Sequence, residues 1–237
     1  MGPLRAALAA RLQAVEERIA AACERADRPR EEVTLVAITK KVSPAVAQLL
    51  PELGVHNLGE GRPQELERKA AAVSGDVRWH LVGHLQRNKV ERVVPLTYRI
   101  HSVDTDRLLT ALEERSAHRS APVDVLLQIN ASGEDRKFGF PPDLVVDLLA
   151  PIEKLKAVRI CGLMTMAAME EDPERCRPTF AVMRALRDRL GRELPPPHSF
   201  AELSMGMSND FEIAIEEGAT MIRLGTVLFD GLPETVS

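Results

Sequence analysis

The stretch VTLVAITKKVSPAVAQLL, residues 33–50, sets a short apolar run directly before a helix start. Val33 to Ile38 is rich in β-branched and aliphatic side chains and is short, which reads as a buried strand. Ser43 and Pro44 then open a helix, the serine as cap and the proline in the first turn. Upstream, Leu4, Leu8, Leu12, Val15 and Ile19 recur at helical spacing, so residues 4–27 read as one long amphipathic helix, ended by Asp27, Arg28 and Pro29.

Downstream the alternation continues. Strand-like segments fall at 33–39, 55–58, 78–82, 98–102, 123–129, 157–163, 200–204 and 221–224. Helical patterns lie between them at 44–52, 62–73, 86–93, 105–119, 142–150, 174–190 and 209–217. Such alternation implies βαβ units and a parallel sheet. Eight strands in this length suit a closed α/β barrel of the (β/α)8 TIM type with an extra N-terminal helix. A doubly wound open sheet is the competing architecture. No repeat or low-complexity segment interrupts the series, and Pro195-Pro196-Pro197 is too short for a linker. Residues 1–237 are therefore expected to form a single barrel domain.

Composition sets the outer bounds. The 237 residues are 45% hydrophobic and 28% charged, with a net charge of −4. That balance suits a globular protein and provides no overall basic field for nucleic acid. The N-terminus is charged throughout, unlike a secretory signal, and no stretch reaches the length of a membrane span. Cys23, Cys161 and Cys176 are odd in number, far apart and without metal-like spacing, so they read as thiols of a reducing compartment. A cytoplasmic location is the expectation.

Two features carry chemistry. Lys40 and Lys41 follow the first strand at its C-terminal end, the edge where barrel enzymes place their reactive groups. Desolvation there frees a neutral amine to attack an aldehyde, whereas a pair of solvated cations is the plainer alternative. Alternation puts Val36, Ile38 and Lys40 on one side and Ala37, Thr39 and Lys41 on the other, without saying which side is inward. The second feature is a pair of loops after strands seven and eight. In AELSMGMSND, residues 201–210, Ser204 and Ser208 offer hydroxyls and Gly206 admits close backbone approach, while Asn209 or Asp210 caps the helix at Phe211. Gly225-Thr226 ends the last strand. Barrels bind phosphate at these two loops, although tight turns favour the same residues.

Taken together, these residues make the chain resemble the pyridoxal 5′-phosphate (PLP) homeostasis proteins. The resemblance runs through LVAITK at 35–40, HNLGEGRPQEL at 56–66, WHLVGHLQRNKV at 79–90 and IHSVD at 100–104. It continues through LLQINASGEDRKFGF at 126–140, GLMTM at 162–166, LSMGMSNDFEIAI at 203–215 and IRLGTVLF at 222–229. It implies a barrel like the N-terminal domain of alanine racemase. It also selects Lys40, not Lys41, as the residue that holds PLP as a Schiff base. Ser204, Gly225 and Thr226 match phosphate-contacting positions, Arg223 the arginine facing the pyridine nitrogen, and Asn57 and Met205 residues near the ring. The family's GEN-x-xQE motif reads Gly59-Glu60-Gly61-Arg62-Pro63-Gln64-Glu65 here, so the side-chain amide of that motif is missing at Gly61.

The function implied is intracellular PLP homeostasis or carriage without robust catalysis, with PLP and apo PLP-dependent enzymes as partners and a monomer as the expected state. Arginine beside the ring nitrogen weakens the cofactor as an electron sink. Racemisation needs two acid–base groups on opposite faces of the substrate. Alanine racemases take the second from a tyrosine of an added domain, whereas this chain ends at Ser237 and has only Tyr98, expected on an inner strand. A weak PLP-dependent amino-acid racemase and a PLP-sensing regulatory protein are the alternatives. His80 and His84 read as active-site or core histidines rather than metal ligands, because Gly83 breaks any helix between them. Arg87-Asn88-Lys89 reads as an exposed turn. Lys137 falls where some family members carry a second PLP-reactive lysine. Met164, Met166 and Met169 are expected to pack the core or the barrel mouth.

Overall fold

The computed structural model describes residues 2–133, 138–194 and 196–232. Among these residues the strands are β1 (Thr34–Ile38), β2 (Asn57–Glu60), β3 (Arg78–Leu81), β4 (Arg99–Val103), β5 (Val123–Gln128), β6 (Val158–Met164), β7 (Glu202–Ser204) and β8 (Met221–Leu224). Each pairs in parallel with the next, and β8 pairs with β1, which closes the barrel. The helices are α1 (Gly2–Arg25), α2 (Pro44–Glu52), α3 (Pro63–Ala70), α4 (Val90–Val93), α5 (Asp106–Ser116), α6 (Leu149–Ile152), α7 (Arg177–Leu190), α8 (Phe211–Glu216) and α9 (Thr226–Phe229). Ser43 caps α2, its side chain accepting from the Val46 N–H at 3.3 Å. The closed barrel excludes the open sheet.

The alternation that defines each strand also sorts the core into two regions. Leu35, Ala37, Leu58, Leu81, Ile100, Leu203, Ile222 and Leu224 point outward into one apolar shell shared with the helices. Val36 and Ile38 point the other way, into the barrel, where they meet Met221 and Val82. Strand β1 ends at Ile38, and Lys40 and Lys41 follow it in a turn closed by the Val42 N–H on the Thr39 carbonyl, both exposed. Helix α1 buries Leu4, Leu8, Leu12, Val15 and Ile19. It packs on α8 and α9, the helices that follow the two phosphate-suited loops. Arg18 of α1 pairs with Glu212 at 2.9 Å and lies over the Phe211 ring, which fixes α8 at its start.

Several segments depart from the sequence reading, among them the expected helix at 86–93, which is a 3₁₀ turn over Arg87–Lys89 followed by the single turn α4. The expected helix at 142–150 is a 3₁₀ helix over Pro142–Leu148 followed by the single turn α6. Pro151 has no N–H, so one rung of a regular helical ladder is missing there. The second strand lies at 57–60 rather than 55–58, ending on Gly59 and Glu60, residue types depleted from strands. Tyr98 precedes β4 instead of lying within it. It is 45% exposed at the N-terminal end of the barrel, flanked by Arg78 and Arg99.

Glu60 has a physical reason to be in a strand. It is fully buried and pairs at 2.5 Å with Nζ of Lys69 on α3, also fully buried. Lys69 donates as well to the carbonyl oxygen of Thr39, and the Thr39 hydroxyl donates to Glu60 Oε1. This cluster grips the peptide joining Thr39 to Lys40 from behind, so the backbone under Lys40 is anchored while its side chain is exposed. Removing one partner strands the other charge in the core, which costs about 3–5 kcal/mol. Lys69→Met is therefore expected to lose about that much in urea unfolding, and Glu60→Leu added to Lys69→Met to recover most of it. A loss below about 1 kcal/mol in the single variant would contradict the anchoring role.

Candidate functional site

The barrel interior holds a line of polar side chains, one from each of five strands. Arg223 on β8 is buried; its Nη1 donates to Ser204 Oγ on β7 at 2.7 Å and its Nη2 to the Thr165 carbonyl at 2.8 Å. Ser204 Oγ lies 2.8 Å from Nδ1 of His101 on β4. Nε2 of His101 lies 2.8 Å from Nδ1 of His80 on β3, whose Nε2 is 3.1 Å from Oδ1 of Asn57 on β2. These contacts cross from one wall of the barrel to the other, which establishes that the side chains point inward. Gly59 leaves room for the apolar cluster beside them, since a Cβ there would stand 2.5 Å from Ile38 Cδ1 and 3.1 Å from Val36 Cγ1.

Burial dominates the electrostatics. Desolvation lowers Arg223 to about 10, with Asp210 opposing the shift, so the guanidinium remains a cation at neutral pH. His80 is lowered to about 3 by burial and then by the cations Arg99 and Arg78. His101 is pushed well below its ordinary range by burial, His80, Arg223 and Arg99. Both imidazoles are neutral. Beneath them Arg99 bridges Asp124 and Glu202, and Asp124 takes a paired contact from Arg159, closing the lower end with ion pairs.

At the C-terminal end, the loops after β7 and β8 meet. The backbone N–H groups of Gly225 and Val227 point at Ser208 Oγ, at 3.4 and 3.2 Å. Gly206 has φ of +92°, and a Cβ there would stand 2.6 Å from that of Ala214, so only glycine serves. Asp210 sits at the start of α8, but its carboxylate reaches back to the Met207 N–H at 2.6 Å and closes the loop. Asn209 turns away to the Glu170 carbonyl. A Cβ on Gly225 would lie 3.2 Å from the Ile38 carbonyl oxygen, which brings the strand end carrying Lys40 against this cradle.

The residues singled out in the sequence thus divide. Lys40, Gly225 and Thr226 lie at the mouth, with Arg223 below them inside the barrel and Asn57 farther along its interior line. Ser204 is turned into the barrel, onto Arg223 and His101, and Ser208 is the serine beside the Gly225 and Val227 amides. Met205 packs in the outer shell with its side chain away from the interior. Lys137 lies outside the described residues. Met164 is in the barrel, but Met166 is 38% and Met169 95% exposed, because β6 ends at Met164. Arg87 and Asn88 are exposed.

His101 escaped the sequence reading, and the Thr165 backbone carbonyl, just past β6, also joins the interior line. His84, read as an active-site or core histidine, lies outside that line. At the mouth, His84 Nδ1 lies 2.7 Å from Asp104 Oδ2, and the imidazole stacks on Phe138 with centroids 4.8 Å apart. Among the described residues no three His, Cys, Asp or Glu side chains form a metal site, and no helix is long and apolar enough to cross a membrane.

The geometry defines a racemase-type barrel, and residues 10–233 match the family model of the alanine racemase N-terminal domain. A pyridoxal phosphate homeostasis protein of Aquifex aeolicus is 41% identical over 222 residues, covering 92% of this chain and 96% of the relative. The human pyridoxal phosphate homeostasis protein is 33% identical over 232 residues, covering 92% and 84%. PipY of Synechococcus elongatus, a structure with PLP bound, superposes with a TM-score of 0.78 at 32% identity, covering 91% of this chain and 99% of that one. The chain belongs to the pyridoxal phosphate homeostasis protein family.

The interior histidines make stability depend on pH. In the unfolded chain each takes a proton near pH 6.5, whereas the folded barrel holds both neutral at pH 5. The unfolded state then binds more protons, so stability falls as pH falls, by about 2 kcal/mol per histidine between pH 7 and pH 5. Urea unfolding at the two pH values is expected to show this loss, roughly halved in His80→Gln. A flat profile would contradict buried neutral imidazoles.

Proposed function

We infer that the protein holds PLP covalently on Lys40 and serves intracellular PLP homeostasis, as a carrier without robust catalysis. The observation that supports this best is the meeting of three groups at one end of the barrel. The strand end that leads into Lys40 packs against Gly225, whose N–H and that of Val227 face the same end of the barrel, and Arg223 is buried in the interior behind them. The donor set fits a phosphorylated pyridine aldehyde. The amides of Gly225 and Val227, with the Ser208 hydroxyl and Thr226, suit a phosphate. PLP, when bound, supplies an aldehyde that condenses with a primary amine, and Lys40 is the amine placed to take it.

The other residues set what the site does. Arg223, already a cation, disfavours a second positive charge beside it and so holds an adjacent ring nitrogen unprotonated. Tyr98, the single tyrosine of the sequence, stands at the N-terminal end of the barrel against His80, at the end away from Lys40, so it is not placed as a second acid–base group there. In this reading the barrel acts as one domain and as a monomer in the cytoplasm, and the partners are PLP and the apo forms of PLP-dependent enzymes.

One observation favours weak racemase activity instead. His84, oriented by Asp104 at the mouth, is a proton carrier on the side of the barrel away from β1. Loss of optical activity from an L-amino acid that disappears in His84→Ala would support that alternative over the carrier.

Borohydride reduction followed by peptide mapping tests the attachment. PLP-treated protein is expected to carry one reduced adduct on the peptide containing Lys40, and Lys40→Ala to lose it together with the visible absorption band. Equal labelling of Lys40→Ala, or an adduct on Lys41, would overturn the assignment.

A further inference from the structure

We propose that His80 and His101 are positioning residues for Arg223, acting through a one-way hydrogen-bond chain across the barrel from β8 to β2. The direction follows from proton counting. Arg223 Nη1 can only donate, so Ser204 Oγ accepts from it. The single Ser204 proton then goes to the facing atom, Nδ1 of His101. His101 carries its own proton on Nε2 and gives it to Nδ1 of His80. His80 in turn donates from Nε2 to Asn57 Oδ1. Every proton is used once. Run the other way, His101 would donate to Ser204 and leave the buried Ser204 hydroxyl proton without an acceptor among its contacts here, at a cost.

The rest of the interior supports this direction. An imidazolium at His80 would set its Nδ1–H against the Nε2–H of His101, one at His101 would turn its Nδ1–H on the Ser204 hydroxyl and leave that hydroxyl proton unaccepted, and either adds a cation among Arg99, Arg78 and Arg223. Burial works the same way, so both rings stay neutral and each has one donor and one acceptor. Barrel interiors are ordinarily filled by branched aliphatic residues, and two desolvated imidazoles are a costly substitute. What they provide is a fixed acceptor. The Ser204 lone pair cannot rotate away from Arg223 while its proton is held by His101, and the Thr165 carbonyl fixes the other arm of the guanidinium. The consequence for PLP rests on the reading of the site given above; the chain itself does not.

Two measurements decide it. In protein labelled with ¹⁵N-histidine and free of cofactor, NMR at pH 7 is expected to find both residues with the proton on Nε2. A proton on Nδ1 in either ring, or an averaged mixture, would overturn the chain. The second measurement titrates PLP into folded variants. His101→Phe, which takes away the acceptor of Ser204, is expected to weaken PLP binding by about tenfold or more and to shift the absorption maximum. His101→Asn, whose Oδ1 can still accept from Ser204, is expected to restore affinity to within a few-fold. Unchanged affinity and spectrum in folded His101→Phe would overturn the positioning role. If that variant does not fold, His80→Gln, one link farther away, is expected to show the same changes at smaller size, and no change there overturns the role equally. Failure of the wild-type protein to take up PLP would instead refute the cofactor reading, and the NMR result would still decide the chain.

Discussion

A guanidinium enclosed in a barrel of apolar walls has to be surrounded by acceptors before the barrel can close around it. Arg223 is that group, and much of the interior is organised to accept from it. Ser204 and the Thr165 carbonyl accept its hydrogen bonds, His101 takes the line to the opposite wall, and His80 and Asn57 carry it on along β3 and β2. The cation keeps its charge because its environment lowers its pKa only to about 10. A fixed positive charge thus stands inside the barrel, below the loop amides of Gly225 and Val227 at its C-terminal end.

The amine end is built on the opposite principle. Lys40 is exposed, and what is buried is the machinery behind it: Glu60, Lys69 and the Thr39 peptide. The anchor fixes the backbone and leaves the Lys40 side chain exposed, the combination that the proposed carrier role calls for. Helix α1 packs behind α8 and α9, the helices that follow the two loops.

Most of the architecture was legible because burial on both faces makes parallel strands read as apolar runs, and these recur between amphipathic helices. The second strand slipped because Gly59 and Glu60 look like a turn until Lys69, on the next helix, is known to neutralise the glutamate. The site was harder. Lys40 and Lys41 are equivalent in a local reading and both lie in the turn beyond β1, so the choice of Lys40 rests on the family resemblance. Ser204 and Ser208 differ by four residues but serve different ends of the site, since one is in the strand and the other in the loop. His80 and His101 are 21 residues apart, and nothing local reveals that their rings touch. The signal was present as one polar residue per strand at an inward position, and it becomes meaningful only once the barrel closes.

The central claim is that the buried Arg223 is the floor of a site whose covalent contact is Lys40. A crystal structure of the protein grown with PLP tests it most directly. The account predicts unbroken density from Lys40 Nζ to the ligand, the phosphate on the amides around Gly225 and Val227, and the ring nitrogen on Arg223. Ligand density attached to another lysine, or lying at the mouth without reaching Arg223, would contradict it.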